Sequence, residues 1–62
     1  MKFRLREVRE EVGLTQGELA ERAGVSRGTI SLIEGGRISC VKTDTLVKLA
    51  DALGKRVDAL FF

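Results

Sequence analysis

The fold class predicted for this chain of 62 residues is all-α. The chain contains no proline, and no segment sustains the period-two alternation of apolar and polar residues that marks a strand. Apolar residues recur instead at helical spacing, most clearly in the set Leu46, Leu49, Ala50 and Leu53. From its length we expect a single domain over residues 1–62.

The first helix is predicted over about Lys2 to Glu11. Leu5, Val8 and Val12 fall on one face at helical spacing, and a core would cover that face. Gly13 ends the helix, since glycine readily takes the left-handed conformation found at helix C-termini.

A second helix begins at a capping box with the sequence T-Q-G-E over residues 15–18. The hydroxyl of Thr15 can accept a hydrogen bond from the Glu18 amide, and the Glu18 carboxylate can accept one from the Thr15 amide. Leu14 before the cap and Leu19 inside the helix have the spacing of a hydrophobic staple.

A third helix is predicted after Ser26, a strongly preferred N-cap residue type, and it stops at the glycine pair 35–36. Ala20 is small enough to lie under a closely crossing helix, and Gly24 accepts the positive φ that the turn requires. Two helices joined by so short a turn form a helix-turn-helix, which usually presents its second helix to the DNA major groove. The residues predicted to enter the core from these helices are Leu19, Ala20, Ala23, Ile30 and Ile33.

Two further helices complete the prediction. The segment Thr43 to Leu53 is the clearest helix in the chain, and Gly54 closes it. A short last helix over about Val57 to Phe61 packs Val57, Leu60 and Phe61 against the core. The loop from Arg37 to Lys42 is expected to be anchored by Ile38 and Val41.

Composition argues against several other classes of protein. The formal net charge of +2 is compatible with a nucleic-acid partner but does not establish one. No apolar run approaches the roughly 20 residues of a membrane span, and no signal-peptide core follows the basic N-terminus. The single cysteine, Cys40, argues against a disulfide framework. Histidine and tyrosine are absent and no metal-ligand cluster is recognisable, so we expect no enzyme, cofactor, metal or small-molecule effector. The expected location is the cytoplasm.

The stretch from Leu14 to Arg37, L-T-Q-G-E-L-A-E-R-A-G-V-S-R-G-T-I-S-L-I-E-G-G-R, resembles the helix-turn-helix of the phage-repressor and xenobiotic-response-element family, the Cro/C1 type. The resemblance continues through Thr45 to Gly54 and Val57 to Phe61, so it covers nearly the whole chain. It implies a lambda-repressor-like DNA-binding domain, a compact bundle of five helices in which the third helix reads DNA.

The resemblance also implies roles for three polar residues. A glutamine that opens the second helix contacts the DNA backbone in this family, and Gln16 occupies that place. An ion pair commonly joins the first helix to the end of the third, and Arg9 and Glu34 match those positions. The alternative is that each is a surface charge. We favour the pair because the neighbouring Val8 and Ile33 place both residues near the core boundary.

The base-contacting residues are predicted from the geometry of the third helix as well as from the resemblance. Because Ile30 and Ile33 face the core, the opposite face is free for DNA. The residues predicted on that face are Ser26, Arg27, Gly28, Ser31 and Leu32. Arg27 can form two hydrogen bonds with a guanine, and Leu32 can lie against a thymine methyl group. The alternative for each is an ordinary solvent-exposed helix residue.

Gly28 departs from the family pattern, since many relatives carry a polar base-reading side chain there. The sequence leaves two interpretations of this glycine open. Either the helix backbone approaches DNA closely at this residue, or the protein reads sequence poorly.

Phosphate contacts are predicted at the start of the second helix and beyond the third. The first N–H groups of a helix are unpaired and suit an anion, and Gly17 leaves them accessible. The predicted phosphate contacts are Thr15, Gln16, Gly17, Thr29, Arg37, Ser39 and Lys42. Thr29 has the alternative of capping its own helix. The loop before the fourth helix is one residue longer than is usual in the family and lacks the common proline, which weakens the expectation for Ser39 and Lys42.

A homodimer is expected because one reading helix covers only a few base pairs. The resemblance implies a pseudo-palindromic site with half-sites about one helical turn, 34–36 Å, apart. The predicted interface is Leu60, Phe61 and Phe62, since terminal aromatic side chains are costly to leave in water. The alternative places Phe61 in the core and leaves Phe62 outside it.

The leading functional prediction is a sequence-specific regulator of transcription that binds double-stranded DNA, and more specifically a repressor that occludes promoter DNA. The alternative is an antitoxin-like or partner-binding module whose main contact is another protein. A separate C-terminal segment for a partner would favour that alternative, and none is recognisable in the sequence.

Overall fold

Four α-helices and one 3₁₀-helix form the regular structure of the computed structural model, which describes residues 3–36 and 41–60. The prediction of an all-α class is confirmed over these residues. The α-helices are α1 (Leu5–Val12), α2 (Gln16–Ala23), α3 (Arg27–Glu34) and α4 (Thr43–Leu53), and the 3₁₀-helix spans Val57–Leu60. The first helix begins three residues later than predicted, whereas α4 has the predicted bounds.

The predicted fifth α-helix is wrong. Its segment forms a 3₁₀-helix of four residues, Val57–Leu60, so the described residues contain four α-helices and not five. The amide of Ala59 donates to the carbonyl of Arg56 at 3.0 Å, the i to i+3 pattern that closes a turn with fewer residues than an α-helix needs. Phe61, which was predicted to end this helix, lies outside the described residues.

The boundaries of α2 and α3 follow from short-range hydrogen bonds, as predicted. At α2 the Glu18 amide donates to Thr15 Oγ1 at 3.1 Å, and the Thr15 amide donates to Glu18 Oε1 at 2.9 Å, which completes the capping box. At α3 the Thr29 amide donates to Ser26 Oγ at 3.1 Å. Gly24 joins the two helices with a φ of +70°, a conformation that side-chain-bearing residues rarely adopt.

The core is aliphatic and draws on every helix. Its buried residues are Leu5, Val8, Leu14, Leu19, Ala20, Ala23, Ile30, Ile33, Leu49, Ala50, Leu53 and Leu60. The five residues predicted from α2 and α3 are all among them. Val41, which was predicted to anchor the loop before α4, packs partly buried against this core.

Two predictions about the core need correction. Val12 is 39% exposed, because α1 ends there and Leu14, just after the turn, is buried instead. Leu46, in the first turns of α4, is only half-buried. Leu49, Ala50 and Leu53, which share its predicted face, are buried as expected.

Helix α3 packs against α1 and α2, while α4 packs against α1, α2 and the 3₁₀-helix. The Arg4 amide also donates to the Leu60 carbonyl at 2.6 Å, which ties the start of α1 to the 3₁₀-helix. Ile30 and Ile33 turn one face of α3 inward with exposures of 0% and 2%. The buried face therefore fixes the position of α3 against the core, and the opposite face of the helix is exposed.

Candidate nucleic-acid interface

The outward face of α3 carries the side chains predicted to contact bases. Arg27, Gly28, Ser31 and Leu32 are all exposed, and Leu32 remains 40% accessible although it is apolar. Arg27 forms no hydrogen bond or ion pair with residues 3–36 or 41–60. With respect to these described residues, the five N–H donors of its guanidinium are open to an external acceptor.

Ser26 and Thr29 are occupied with capping α3. Ser26 Oγ accepts from the Thr29 amide at 3.1 Å and lies 2.8 Å from Thr29 Oγ1, with one hydroxyl donating to the other. The capping alternative for Thr29 is thus present in the structure. Both residues therefore have a structural role in the free protein. If either hydroxyl contacts DNA, it must do so while also taking part in this cap.

The two glycines in the first turns of α2 and α3 occupy the same helical position, the second residue of each helix. Neither has a positive φ. A Cβ atom at Gly17 would have Thr15 Oγ1 as its nearest neighbour at 4.0 Å, and one at Gly28 would have Ser26 Oγ at 3.9 Å. These are ordinary contact distances, so alanine fits at both positions and nothing within the described residues requires glycine.

Each of these helices also begins with two unpaired backbone donors. The caps take the amides of Glu18 and Thr29, the third residue of each helix. The amides of the first two residues make no hydrogen bond within the described part of the chain, as is usual for a helix start. Unpaired N–H groups with an unobstructed glycine among them suit an approaching phosphate oxygen.

An ion pair joins α1 to the end of α3, as the family resemblance implied. Arg9 Nε donates to Glu34 Oε2 at 2.7 Å, and Arg9 Nη2 donates to Glu34 Oε1 at 3.0 Å. The Arg9 and Glu34 side chains are only 11% and 4% exposed. The contact is therefore a bidentate, nearly buried pair, the geometry in which arginine binds a carboxylate most strongly.

The same network reaches the start of α2. Arg9 Nη1 donates to the Leu14 carbonyl at 2.7 Å, and Gln16 Nε2 donates to Glu34 Oε1 at 3.0 Å. Gln16 was predicted only as a phosphate contact, so its bond to Glu34 is a connection that the sequence interpretation missed. The two residues are 18 positions apart, and no local spacing rule indicates a contact at that separation.

The network shifts the pKa of both charged partners in the direction that keeps them ionised. Burial raises the pKa of Glu34, but the hydrogen bonds from Arg9 and Gln16 and the charge of Arg9 outweigh it and lower the pKa below its ordinary value. The hydrogen bond to Glu34 raises the pKa of Arg9 by more than burial lowers it. The charged pair is thus the stable form at neutral pH.

The lowered pKa of Glu34 predicts an acid-dependent loss of stability. Because the folded protein holds the Glu34 proton less readily than the unfolded chain, protonation favours unfolding. We expect the stability difference between the wild type and Glu34→Gln to be largest above about pH 5, and to shrink as the pH falls through and below the unfolded glutamate value of about 4.3. Urea unfolding at a series of pH values measures this difference.

Glu21→Gln provides the control for that titration, because Glu21 is exposed on α2 and forms no ion pair within the described residues. At neutral pH this substitution should change the free energy of unfolding only slightly, because it removes no such ion pair. If the difference between the wild type and Glu34→Gln did not vary with pH, the Arg9–Glu34 pair would not be the source of the acid sensitivity.

The remaining predicted site residues divide into three groups. Lys42 is exposed and directly precedes α4, where its side chain makes no capping bond. Leu60 is 1% exposed in the core, so its predicted place in a dimer interface is wrong: its side chain is already covered by its own chain. The predicted site residues Arg37, Ser39, Phe61 and Phe62 lie outside the described residues. So do Ile38, which was predicted to anchor the loop before α4, and Cys40.

Within the described residues, no cluster of three or more potential metal ligands occurs. The longest of the described helices, α4, has 11 residues, and none of them is long and apolar enough to cross a membrane.

Two short helices at a glycine turn, with the second buried on one face and open on the other, define a helix-turn-helix protein. The chain belongs to the helix-turn-helix family, whose model matches residues 5–60.

Relatives and a solved structure agree with this assignment. An HTH-type transcriptional regulator of Archaeoglobus fulgidus is 38% identical over 61 residues, which cover 98% of this chain and 86% of that protein. Another, from Methanothermobacter thermautotrophicus, is 59% identical over 39 residues, 63% of this chain and 56% of that protein. The crystal structure of the restriction-modification controller protein C.AhdI from Aeromonas hydrophila matches with a TM-score of 0.86 at 38% identity, covering 94% of this chain and 86% of that one.

A protein named as an antitoxin, HigA2 of Mycobacterium tuberculosis, is 41% identical over 56 residues, 90% of this chain. The chain spans 55% of HigA2 and 56% of the Methanothermobacter protein, just over half of their lengths.

Proposed function

We propose that this protein is a transcriptional regulator that binds double-stranded DNA and reads its major groove with α3. The observation that carries the proposal is the two-sided character of that helix. Ile30 and Ile33 fix it against the core, while Arg27, Ser31 and Leu32 remain exposed on the other side. The similarity to HTH-type transcriptional regulators of Archaeoglobus and Methanothermobacter supports regulation of transcription as the outcome of that binding.

The side chains on α3 suit different parts of a base pair. The free guanidinium of Arg27 can donate two hydrogen bonds to guanine N7 and O6, the commonest specific contact in the major groove. Leu32, exposed and apolar, can cover a thymine methyl group. Ser31 can donate or accept, so it contributes little discrimination of its own.

Affinity in this proposal comes from the DNA backbone. The unpaired amides of Gln16 and Gly17 bind a phosphate at the start of α2, and Lys42 adds a cation before α4. Such contacts orient the protein on the duplex without carrying sequence information. Binding should therefore weaken steeply as salt rises, because each neutralised phosphate releases counterions.

Selection from a random duplex-DNA library at about 150 mM salt, near physiological ionic strength, tests this function. Enrichment of a motif with two-fold symmetry and half-sites about one helical turn apart would support a dimeric regulator. No enrichment from a folded, monodisperse protein, together with weak binding to every duplex at low salt, would overturn the proposal.

The substitution Gly28→Ala distinguishes between the two interpretations of this glycine, a close approach of DNA to the helix backbone and a poor reading of the DNA sequence. The substitution should stabilise the free protein by up to about 1 kcal/mol, since alanine favours a helix and meets no atom closer than ordinary contact. If DNA lies against the first turn of α3, the same methyl group should lower DNA affinity severalfold. Thermal unfolding and fluorescence anisotropy with a labelled duplex measure the two effects separately.

Val47→Ala is the control for Gly28→Ala, because Val47 is exposed on α4, is not among the residues proposed to contact DNA, and its replacement adds no bulk. It should change DNA affinity little. Equal affinity for the wild type and Gly28→Ala would show that the DNA does not approach this residue and would leave poor reading as the better interpretation.

A homodimer on DNA belongs to the same proposal. One reading helix covers too few base pairs for useful specificity, and two-fold DNA sites are matched by two-fold proteins. The proposed interface now rests on Phe61 and Phe62, because Leu60 is buried within its own chain.

Deleting Phe61 and Phe62 should weaken self-association, since aromatic side chains dominate the energetics of interfaces. Sedimentation velocity over a concentration series measures the change, and circular dichroism checks that the helices persist. An unchanged association constant in a folded variant would exclude these residues from the interface.

An antitoxin-like role is the second candidate, favoured by the match to HigA2 over 90% of the chain. In that case a protein partner would be the main contact of this module. Failure of the DNA selection, combined with a stable complex to a single protein partner, would favour it.

A further inference from the structure

Glu34 connects three helices through one carboxylate. Its Oε2 accepts from Arg9 Nε at 2.7 Å, and its Oε1 accepts both from Arg9 Nη2 and from Gln16 Nε2, each at 3.0 Å. Glu34 is the last residue of α3 and Gln16 the first of α2. The proposed reading helix is thus linked by a side-chain hydrogen bond to the helix start proposed to bind phosphate.

The amide of Gln16 retains hydrogen-bonding capacity after this contact. An amide nitrogen carries two N–H donors, and Glu34 takes one of them. Gln16 is half-buried and makes no other side-chain hydrogen bond within the described residues. Its second N–H therefore remains available beside the unpaired backbone amides of Gln16 and Gly17.

We infer that Glu34 is a positioning residue for DNA binding, in that it holds the Gln16 amide with its second N–H directed to a backbone phosphate. This inference rests on the proposed DNA-binding function and adds a role for Glu34 beyond its ion pair with Arg9. The Glu34 carboxylate itself touches no DNA.

Two physical effects follow from that arrangement. A glutamine side chain held before binding loses less conformational freedom when it contacts the phosphate. The link also fixes the distance between the phosphate contact at α2 and the base-reading face of α3, so a contact at one helix sets the register of the other. The carboxylate of Glu18 lies at the same helix start and opposes an anion, which makes an additional correctly aimed donor more important there.

Nuclear magnetic resonance gives a direct readout, because Gln16 is the only glutamine and the chain contains no asparagine. Its side-chain amide is therefore the source of the only carboxamide NH₂ signals in a ¹H–¹⁵N correlation spectrum. In the free protein we expect two well-separated proton shifts, with the proton bound to Glu34 downfield. Adding a short duplex at low salt should move the other proton and leave the first in place.

A double-mutant cycle provides the second test. Glu34→Gln should lower duplex affinity in the wild-type background by clearly more than in the Gln16→Ala background, with a coupling of about two-fold or more as expected for residues in one network. Glu21→Gln, on the exposed face of α2, is the charge-matched control and should show no coupling to Gln16. Circular dichroism at the temperature of the binding assay shows whether each variant is folded. The magnetic resonance test of the Gln16 amide uses only the wild-type protein, so it does not depend on the folding of any variant.

The outcomes separate this inference from the function on which it rests. Absence of duplex binding by the wild type would overturn the proposed function. Binding with an unperturbed Gln16 amide and additive substitutions would leave the function intact and overturn the role of Glu34.

Discussion

Arg9→Ala is expected to destabilise the fold by about 3–5 kcal/mol, because it leaves the Glu34 carboxylate nearly buried without its partner. The substitution also removes the donor to the Leu14 carbonyl, which holds the turn between α1 and α2. At roughly 4 °C or more per kcal/mol for a domain of this size, the melting temperature should fall by at least about 12 °C. Thermal unfolding followed by circular dichroism measures the shift.

No other arginine in the described residues should produce a comparable effect. Arg56 is paired with Asp58 at 3.6 Å, but both side chains are largely exposed, and such pairs contribute little. Arg22→Ala, on the exposed part of α2, is the matched control and should change the melting temperature only slightly. An unchanged melting temperature in Arg9→Ala would rule out a stabilising pair.

Replacing both Arg9 and Glu34 distinguishes the effect of the pair on the stability of the fold from the proposed role of Glu34 in positioning Gln16. In Arg9→Met with Glu34→Leu, no charge is left unpaired, and apolar replacement of a buried pair is often neutral or stabilising. The double variant should therefore recover much of the stability lost in Arg9→Ala. It still lacks an acceptor for Gln16, so its duplex affinity should stay below that of the wild type.

The parts of the fold that the sequence predicted are those fixed by short-range interactions. The capping box at Thr15 and Glu18 spans three residues, and the positive φ at Gly24 depends on a single residue type. The burial of Ile30 and Ile33 follows from the period of one helix. Each of these needs only local geometry, and each agrees with the structure.

The errors occur where the arrangement of distant segments decides the outcome. Val12 has the correct helical period for the core, but α1 ends at that residue and Leu14 is buried in its place. From the sequence alone, Leu60 was predicted to lie in a dimer interface. In the fold, the 3₁₀-helix lies against α1, and the Arg4 amide donates to the Leu60 carbonyl.

The same distinction between local and long-range interactions applies to the candidate site. The exposure of Arg27 and Leu32 is predictable, because it follows from the burial of the opposite face of their own helix. The bond from Gln16 to Glu34 is not, since it requires the crossing of α2 and α3 to bring a helix start beside a helix end. The family resemblance supplied the Arg9–Glu34 pair but gave no indication of the third partner.

Arg27→Ala is expected to lower affinity for the selected duplex by about 5- to 150-fold per half-site, the equivalent of the 1–3 kcal/mol that a bidentate guanine contact contributes. It should also relax the preference at one base pair in each half-site. Stability should stay within about 0.5 kcal/mol of the wild type, because Arg27 is exposed and binds no other described residue.

Arg27→Lys identifies which property of the side chain matters. Lysine keeps the charge but lacks the planar fork that donates two parallel hydrogen bonds. If Arg27 reads a guanine, Arg27→Lys should lose most of the base preference while retaining affinity for unselected duplexes. If Arg27 only binds phosphate, Arg27→Ala should weaken binding to all sequences equally and reduce the salt dependence by about one unit, with Arg27→Lys close to the wild type. Repeating the selection with both variants at two salt concentrations separates these cases, because base preference and salt dependence are then measured on the same proteins.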